Sequence, residues 1–127
     1  MSGMKKARRR AVAAACGVVA LGWTTGAAAL DATCTFETIC FEADPCDTAT
    51  LALRVRSDAT TGKVTLGPRG DRVAGRATAA PSGATVIVAR GPTSFQLLTV
   101  LDRGARYSVH LTDGPAVVTY LGTCEAE

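Results

Sequence analysis

The amino-acid sequence predicts an all-β fold: a small antiparallel meander, either a sandwich or a barrel, held by two disulfides and preceded by an N-terminal signal peptide. Three observations predict this fold. Short segments in which apolar and polar residues alternate recur about every eight to twelve residues. Turn-forming residues separate these segments. Once the predicted signal is removed, the chain retains an even set of four cysteines.

Residues 1–29 have the layout of a secretory signal peptide. A basic head with two lysines and three consecutive arginines precedes a weakly apolar run that ends in small residues. Ala27 and Ala29 occupy the positions that a signal peptidase reads, so we predict cleavage after Ala29 and a single mature domain over 30–127. Two alternatives stay open: a start at Met4, and export by the twin-arginine route.

A membrane anchor and a lipid anchor on Cys16 are the competing interpretations of this leader. Gly17, Gly22, Thr24 and Gly26 interrupt a span that needs about 20 mostly apolar residues. The apolar run between the arginines and Cys16 is shorter than the ~7–15 residues that an export signal needs. We therefore expect the protein to meet the membrane only through its export signal and to be periplasmic or secreted.

Removal of the leader reverses the sign of the net charge. The leader holds five of the fourteen Lys and Arg residues and none of the eleven Asp and Glu residues. The mature chain therefore carries a net charge of −2, against +3 for the whole sequence. Because the basic balance belongs to the export signal, it gives no support for a nucleic-acid partner.

Cys34, Cys40, Cys46 and Cys124 are predicted to form two disulfides, because export compartments oxidise thiols. Side chains alternate between the faces of a strand, so Cys34 and Cys124 can meet if the first and last strands direct them inward. Cys40 and Cys46 would then close a short loop. Zinc is the rival interpretation, but these spacings lack the close ligand pairs of structural sites, and the only histidine is His110. We expect no metal and no cofactor.

The segments from residue 49 onward alternate in the manner of half-buried strands. In "LALRVR", Leu51, Leu53 and Val55 share one face. The segments "KVTL", "DRVAGRATA", "ATVIVAR" and "SFQLLTVL" follow and are rich in β-forming residues. The segment "GARYSVHL" is predicted to direct four side chains inward: Ala105, Tyr107, Val109 and Leu111. Asp113-Gly114 then fits a two-residue hairpin turn before the last strand.

Charge is unevenly distributed along the mature chain, since residues 31–47 hold five acidic residues and no basic one. One interpretation is that this segment only neutralises the arginine-rich faces. The other is that a charged surface docks an unknown envelope or extracellular protein. Two candidate surfaces follow: an acidic loop (Glu42, Asp44 and Asp47) and a basic face (Arg54, Arg56 and Arg106). Calcium at the three carboxylates is an alternative, although their spacing is unlike that of an EF-hand.

Enzymatic constellations are hard to build from this sequence, so we expect no catalytic activity. A hydrolase remains the alternative, based on Ser108, His110 and Asp113, but Ser108 and His110 stand about 6.6 Å apart on one strand face, too far for a hydrogen bond. The Arg69-Gly70-Asp71 tripeptide is interpreted as a turn. If the fold encloses a cavity, a small apolar ligand is a further hypothesis.

The segments "TCTFETICFEADPC" and "TYLGTCE" carry a resemblance to known proteins. Together they resemble a group of small exported bacterial proteins that share this four-cysteine layout and have no assigned activity. The chain also bears a looser likeness to the periplasmic inhibitors of C-type lysozyme, which are small disulfide-bonded β-barrels. These resemblances imply an exported, disulfide-stabilised β domain and an inhibitory alternative, and no inhibitory residue is transferred to this chain.

Overall fold

The computed structural model describes residues 13–15, 17, 30–58, 60–68 and 72–127. The predicted signal peptide, apart from four of its residues, and the Arg69-Gly70-Asp71 tripeptide lie outside the described residues. Eight strands are formed within these ranges: β1 (Ala32–Phe41), β2 (Asp47–Ser57), β3 (Lys63–Gly67), β4 (Val73–Ala79), β5 (Thr85–Arg90), β6 (Ser94–Leu101), β7 (Gly104–Leu111) and β8 (Ala116–Ala126).

The eight strands close into one antiparallel barrel in the order in which they occur along the chain. Each strand pairs with the next, and β1 pairs with β8 to complete the ring. The predicted all-β meander is therefore confirmed. Of the two predicted arrangements, sandwich and barrel, the chain forms the barrel. No helix in the described part of the chain is long and apolar enough to cross a membrane.

The core lies inside the barrel and is built from the inward-facing residues of every strand. Alternation places Leu53 and Val55 inside, with Leu51 packed at their edge, as the sequence predicts. The largest side chains that are fully buried come from strands all around the ring: Phe36, Leu53, Leu66, Ile87 and Leu98. An eight-stranded barrel is just wide enough for side chains of this size to fill its interior.

Both predicted disulfides are present. Cys34 and Cys124 occupy directly opposite positions of β1 and β8, so this bridge joins the two strands whose pairing closes the barrel. Both cysteines are buried in the core. Cys40 and Cys46 are only six positions apart and pin the loop between β1 and β2. The parity of the side chains, which predicted the long bridge, is thus confirmed.

A bulge in β1 interrupts its pairing with both neighbours between Phe36 and Thr38. Phe36 lies opposite Gly122, and a Cβ atom at Gly122 would collide with the carbonyl oxygen of Thr35. The absence of a side chain at Gly122 therefore lets β1 and β8 approach closely beside the bulge. Beyond the bulge, the inward-facing positions of β1 shift by one residue.

The loop between β7 and β8 is longer than predicted, and Leu111, the residue at the end of β7, is more exposed than predicted. Leu111 pairs with Ala116, so the loop has four residues, and a two-residue turn at Asp113-Gly114 is wrong. Gly114 adopts a left-handed φ of 81°, which explains why a glycine is needed there. Leu111 was predicted to point inward, but it lies at the end of the barrel with 38% of its surface exposed.

Candidate functional site

The acidic loop is held rigidly between β1 and β2. The disulfide closes its base, and the amide of Asp44 donates to the carbonyl oxygen of Phe41 at 3.0 Å. Glu42 adopts a left-handed φ of 50° and is fastened to β8: its amide donates to Val117 O at 3.0 Å, while its Oε1 accepts from Val117 N at 3.0 Å. One of the three predicted carboxylates therefore has a structural role.

The remaining carboxylates of the acidic loop do not form a cation site. Asp47 Oδ1 accepts a hydrogen bond from the amide of Thr48 at 2.8 Å. Among the residues that the structure describes, no three acidic, histidine or cysteine side chains converge closely enough to hold a metal ion. Glu42, Asp44 and Asp47 all belong to that part of the chain, so the calcium alternative for these residues is not supported.

Arg54 and Arg56 of the predicted basic face lie together beside β1, where both contact Glu127. Arg56 Nη2 lies 2.7 Å from Glu127 Oε2, and Arg54 Nη2 lies 3.5 Å from Oε1. The hydroxyl of Thr33 donates to Glu127 Oε1 at 2.7 Å. This hydrogen bond, followed by the two arginines, lowers the pKa of Glu127 from its ordinary value. These two arginines are already partly neutralised within the molecule.

Arg106, the third residue of the predicted basic face, lies in a different place. It pairs with Leu121 of β8, which in turn lies opposite Thr38 of β1. Arg54 of β2 lies opposite Thr33, five residues away along the same strand. Two strands, β8 and β1, separate β7 from β2, so the structure does not bring the three arginines together.

The residues considered for a hydrolase are not assembled into a triad. The hydroxyl of Ser108 has its hydrogen-bonding contact with Thr119 Oγ1 on the neighbouring strand, at 3.4 Å. His110 lies opposite Phe95 on the exposed side of β7. Asp113 belongs to the four-residue loop that follows β7.

Exposed apolar side chains on the outside of β5 and β6 form the largest feature that the sequence-based reasoning missed. Phe95 is 45% exposed, Leu97 39%, Leu101 47% and Val88 38%. Val88 and Leu97 lie directly opposite each other in the register of the two strands. We call these four residues the β6 wall. Scattered apolar residues on a surface are ordinary, but Val88, Leu97 and Phe95 adjoin one another, with Leu101 beyond Thr99 on the same face, and such a group points to an interaction site.

The strands around the β6 wall carry basic residues and no carboxylates. From β3 to β7 the five strands contain neither Asp nor Glu. Four basic residues are distributed over the same strands: Lys63, Arg76, Arg90 and Arg106. Arg76 lies opposite Val88, and Arg90 lies opposite Phe95, so cations border the apolar residues directly.

A shallow cleft lies beside the β6 wall on the outer surface of β6 and β7. It has a volume of about 310 Å³ and is lined by Thr99, Leu101, Gly104 and Arg106. An apolar side chain and a guanidinium group thus share one concave surface. Such a cleft suits a ligand group that combines an apolar body with a negative charge.

The alternation in "SFQLLTVL" contains the signal that would have revealed the β6 wall. Leu98 and Val100 point into the core, whereas Phe95, Leu97 and Leu101 point outward. In a barrel whose outer surface faces water, a strand should carry apolar residues only on its inward face. Apolar residues on both faces predict a strand that is buried on both sides. In this barrel only the inward face of β6 is buried, by the core.

The interior of the barrel holds a polar contact within an aromatic cluster. Tyr107 Oη donates to Gln96 Oε1 at 2.7 Å, and Gln96 Nε2 donates to Ser94 Oγ at 3.1 Å. The ring centroid of Tyr107 lies 5.7 Å from those of both Phe36 and Tyr120. Burial raises the pKa of Tyr107 to about 12. These rings occupy the interior that a small apolar ligand would need.

No family model, no curated protein and no solved structure matches this chain. The resemblance to exported four-cysteine proteins and the looser likeness to lysozyme inhibitors therefore stay predictions.

Proposed function

We propose that this chain is a binding module of the periplasm or the extracellular space and that it captures a protein partner through the β6 wall. One observation carries the proposal: Phe95, Leu97 and Val88 adjoin on the outer surface, where they remain more than a third exposed. Burial of apolar surface is the main favourable contribution to protein association. Aromatic residues such as Phe95 are enriched in protein interfaces.

The rigidity of the barrel supports a role in binding. A sheet that closes on itself holds neighbouring side chains in a fixed array, and the bridge between Cys34 and Cys124 joins the closing strands. A preorganised surface loses little conformational entropy when a partner docks on it. The two disulfides also suit an oxidising compartment, which supports the proposed location outside the cytoplasm.

The proposal contains no catalytic step. Ser108 is engaged with Thr119, and the described part of the chain holds no cluster of metal-ligating side chains. An inhibitor would be one form of such a binding module, because it too acts by occupying the surface of another protein.

Affinity capture with matched variants tests this function. The exported protein, with both disulfides formed, is immobilised and exposed to envelope and secreted proteins of its own cells. We expect the unchanged protein and the control variant Glu125→Gln to retain the same partner, because Glu125 is an exposed residue of β8 and lies outside the β6 wall. The variant Phe95→Ser/Leu97→Ser should lose that partner. Captured copies of this chain itself are not counted in this comparison, because such a copy can also bind the immobilised variant through its own intact wall.

The captured partner must then be identified by mass spectrometry and must capture the unchanged chain in the reciprocal experiment. Equal melting temperatures of the three proteins would establish that the wall substitutions act on the surface. Equal capture by Phe95→Ser/Leu97→Ser and by the unchanged protein would contradict the proposal.

A further inference from the structure

We infer that the β6 wall receives the acidic loop of a second copy of this chain, so that copies associate end to side. The inference rests on the proposed function, because it names an occupant for the same surface. It follows from the separation of charge on the molecule, which places complementary chemistry at two distinct sites of one chain.

The β6 wall demands a particular chemistry of its occupant. The apolar part must be covered by apolar groups, and Arg76, Arg90 and Arg106 on the adjacent strands favour carboxylates. Because β3 to β7 hold no Asp or Glu, no carboxylate of these strands pairs with those guanidinium groups, and Arg106 Nη1 donates to the carbonyl oxygen of Ala105 at 2.9 Å. An isologous contact between two such walls would bring like charges together, which disfavours it.

The acidic loop carries this complementary chemistry. Asp44 and Asp47 are exposed, and no basic residue occurs between residues 31 and 53. Phe41, immediately before the loop, is 46% exposed, and Leu111 lies at the same end of the barrel. The loop end of the barrel therefore presents an aromatic ring beside exposed carboxylates, which is the combination that the wall and its cleft require.

The two surfaces also match in form and in stiffness. The acidic loop is a projection fixed by its disulfide and by the paired hydrogen bonds between Glu42 and Val117. The cleft of about 310 Å³ beside the wall is concave and contains both Leu101 and Arg106. A rigid projection that enters a preformed cleft pays little ordering entropy.

The positions of the two surfaces determine the kind of assembly. The loop joins β1 and β2, whereas the wall is on β5 and β6, half of the ring away. A contact between two different surfaces is heterologous, so each copy keeps one unused wall or loop and can add another copy. We therefore expect open chains whose mean length increases with concentration, and we expect salt to shorten them.

Sedimentation velocity on the exported, oxidised protein tests the inference. The unchanged protein should show a weight-average mass that rises with concentration at low salt. The wall variant Phe95→Ser/Leu97→Ser and the loop variant Asp44→Asn/Asp47→Asn should each weaken association about tenfold or more. Asparagine at 47 can still accept the hydrogen bond from Thr48, so the loop variant keeps its fold. The matched control Glu125→Gln removes an exposed carboxylate outside the loop and should associate like the unchanged protein.

A mixing experiment distinguishes a loop-to-wall contact from any symmetric one. The wall variant retains its loop and the loop variant retains its wall, so an equimolar mixture has one intact contact per pair. We expect this mixture to form one-to-one complexes that grow no further, at concentrations where each variant alone is monomeric. Recovery of association by mixing would not occur if both copies used the same surface.

The possible failures are distinguishable from one another. A protein that is monomeric at every concentration but still captures a different partner through the wall would overturn the inference and leave the proposed function standing. A monomer that captures nothing would overturn both. Association that survives Asp44→Asn/Asp47→Asn but is lost in Phe95→Ser/Leu97→Ser would indicate a wall-to-wall contact and would also overturn the inference.

Discussion

The bridge between Cys34 and Cys124 is predicted to contribute far more stability than the bridge between Cys40 and Cys46. In the chain-entropy account, a disulfide stabilises the folded state by restricting the unfolded chain, and its effect grows with the length of the closed loop. The two bridges close loops with sequence separations of 90 and 6 residues. These lengths correspond to about 4.6 and about 2.2 kcal/mol.

Burial increases the difference between the two bridges. Cys34 and Cys124 belong to the core, whereas Cys46 is exposed and Cys40 only half-buried. Replacement of the buried pair by alanine also removes two sulfur atoms that pack against the core, and this adds a packing cost to the entropic one. We therefore expect the free energy of unfolding to fall by at least about 2 kcal/mol more for Cys34→Ala/Cys124→Ala than for Cys40→Ala/Cys46→Ala.

Urea denaturation under non-reducing conditions measures this difference, with Cys40→Ala/Cys46→Ala as the matched control. The midpoint and slope of each transition give the free energy of unfolding. Failure of Cys34→Ala/Cys124→Ala to fold at a temperature where the control folds would agree with the prediction. Equal losses for the two variants, or a larger loss for the short loop, would refute the argument that the long bridge secures the closure of the barrel.

Three further predictions concern single residues. Tyr107→Phe should lower the free energy of unfolding by about 1–3 kcal/mol, because it leaves the buried Gln96 Oε1 without its donor. Glu127 has a lowered pKa, so its stabilising contribution is complete above its ordinary value of 4.5 and is lost as pH falls through the lower folded value; Glu127→Gln should remove this part of the acid dependence in urea titrations. Gly122→Ala should strongly destabilise the barrel in thermal melts, because its Cβ would collide with the backbone at Thr35.

Each of these three predictions has a control variant. Equal behaviour of the test variant and its control would contradict the prediction. Tyr120→Phe alters a ring in the same cluster and should cost less than Tyr107→Phe. Glu125→Gln removes another exposed carboxylate, which is paired with Arg103, and should leave the acid dependence that Glu127 contributes unchanged. Gly83→Ala lies in open space at a turn, so its cost should come only from its φ of 88° and should be smaller.

The period-two pattern was sufficient to predict the fold class and the long disulfide. Alternation assigned Leu53 and Val55 to the core correctly, and the shared parity of Cys34 and Cys124 with their strands predicted their contact. Ring closure could not be predicted in this way, because alternation within a strand is the same in a sandwich and in a barrel. Closure depends on the pairing of β1 with β8, which is a long-range property of the register.

Residues at the ends of strands were harder to predict. The bulge after Phe36 shifts the inward-facing positions of β1 by one residue, and no single residue of this segment predicts a bulge. Leu111 continues the alternation of β7, yet it lies beyond the part of the barrel where an opposite strand would cover it. Alternation specifies the face on which a side chain lies, but not whether anything packs against that face.

The proposed surfaces follow from the way in which this fold uses its backbone. Because β1 and β8 pair with each other, neither of the terminal strands is an open edge to which a partner could add a strand. Under the proposed function, a partner would therefore be recognised by side chains on the wall or in the loops and not by a strand added to β1 or β8. Leu98 and Val100 already supply the contribution of β6 to the core, so folding does not require Phe95 and Leu97 on the outside. The proposed function accounts for these exposed apolar residues, which the fold does not require, and the cations beside them favour an acidic partner under that proposal.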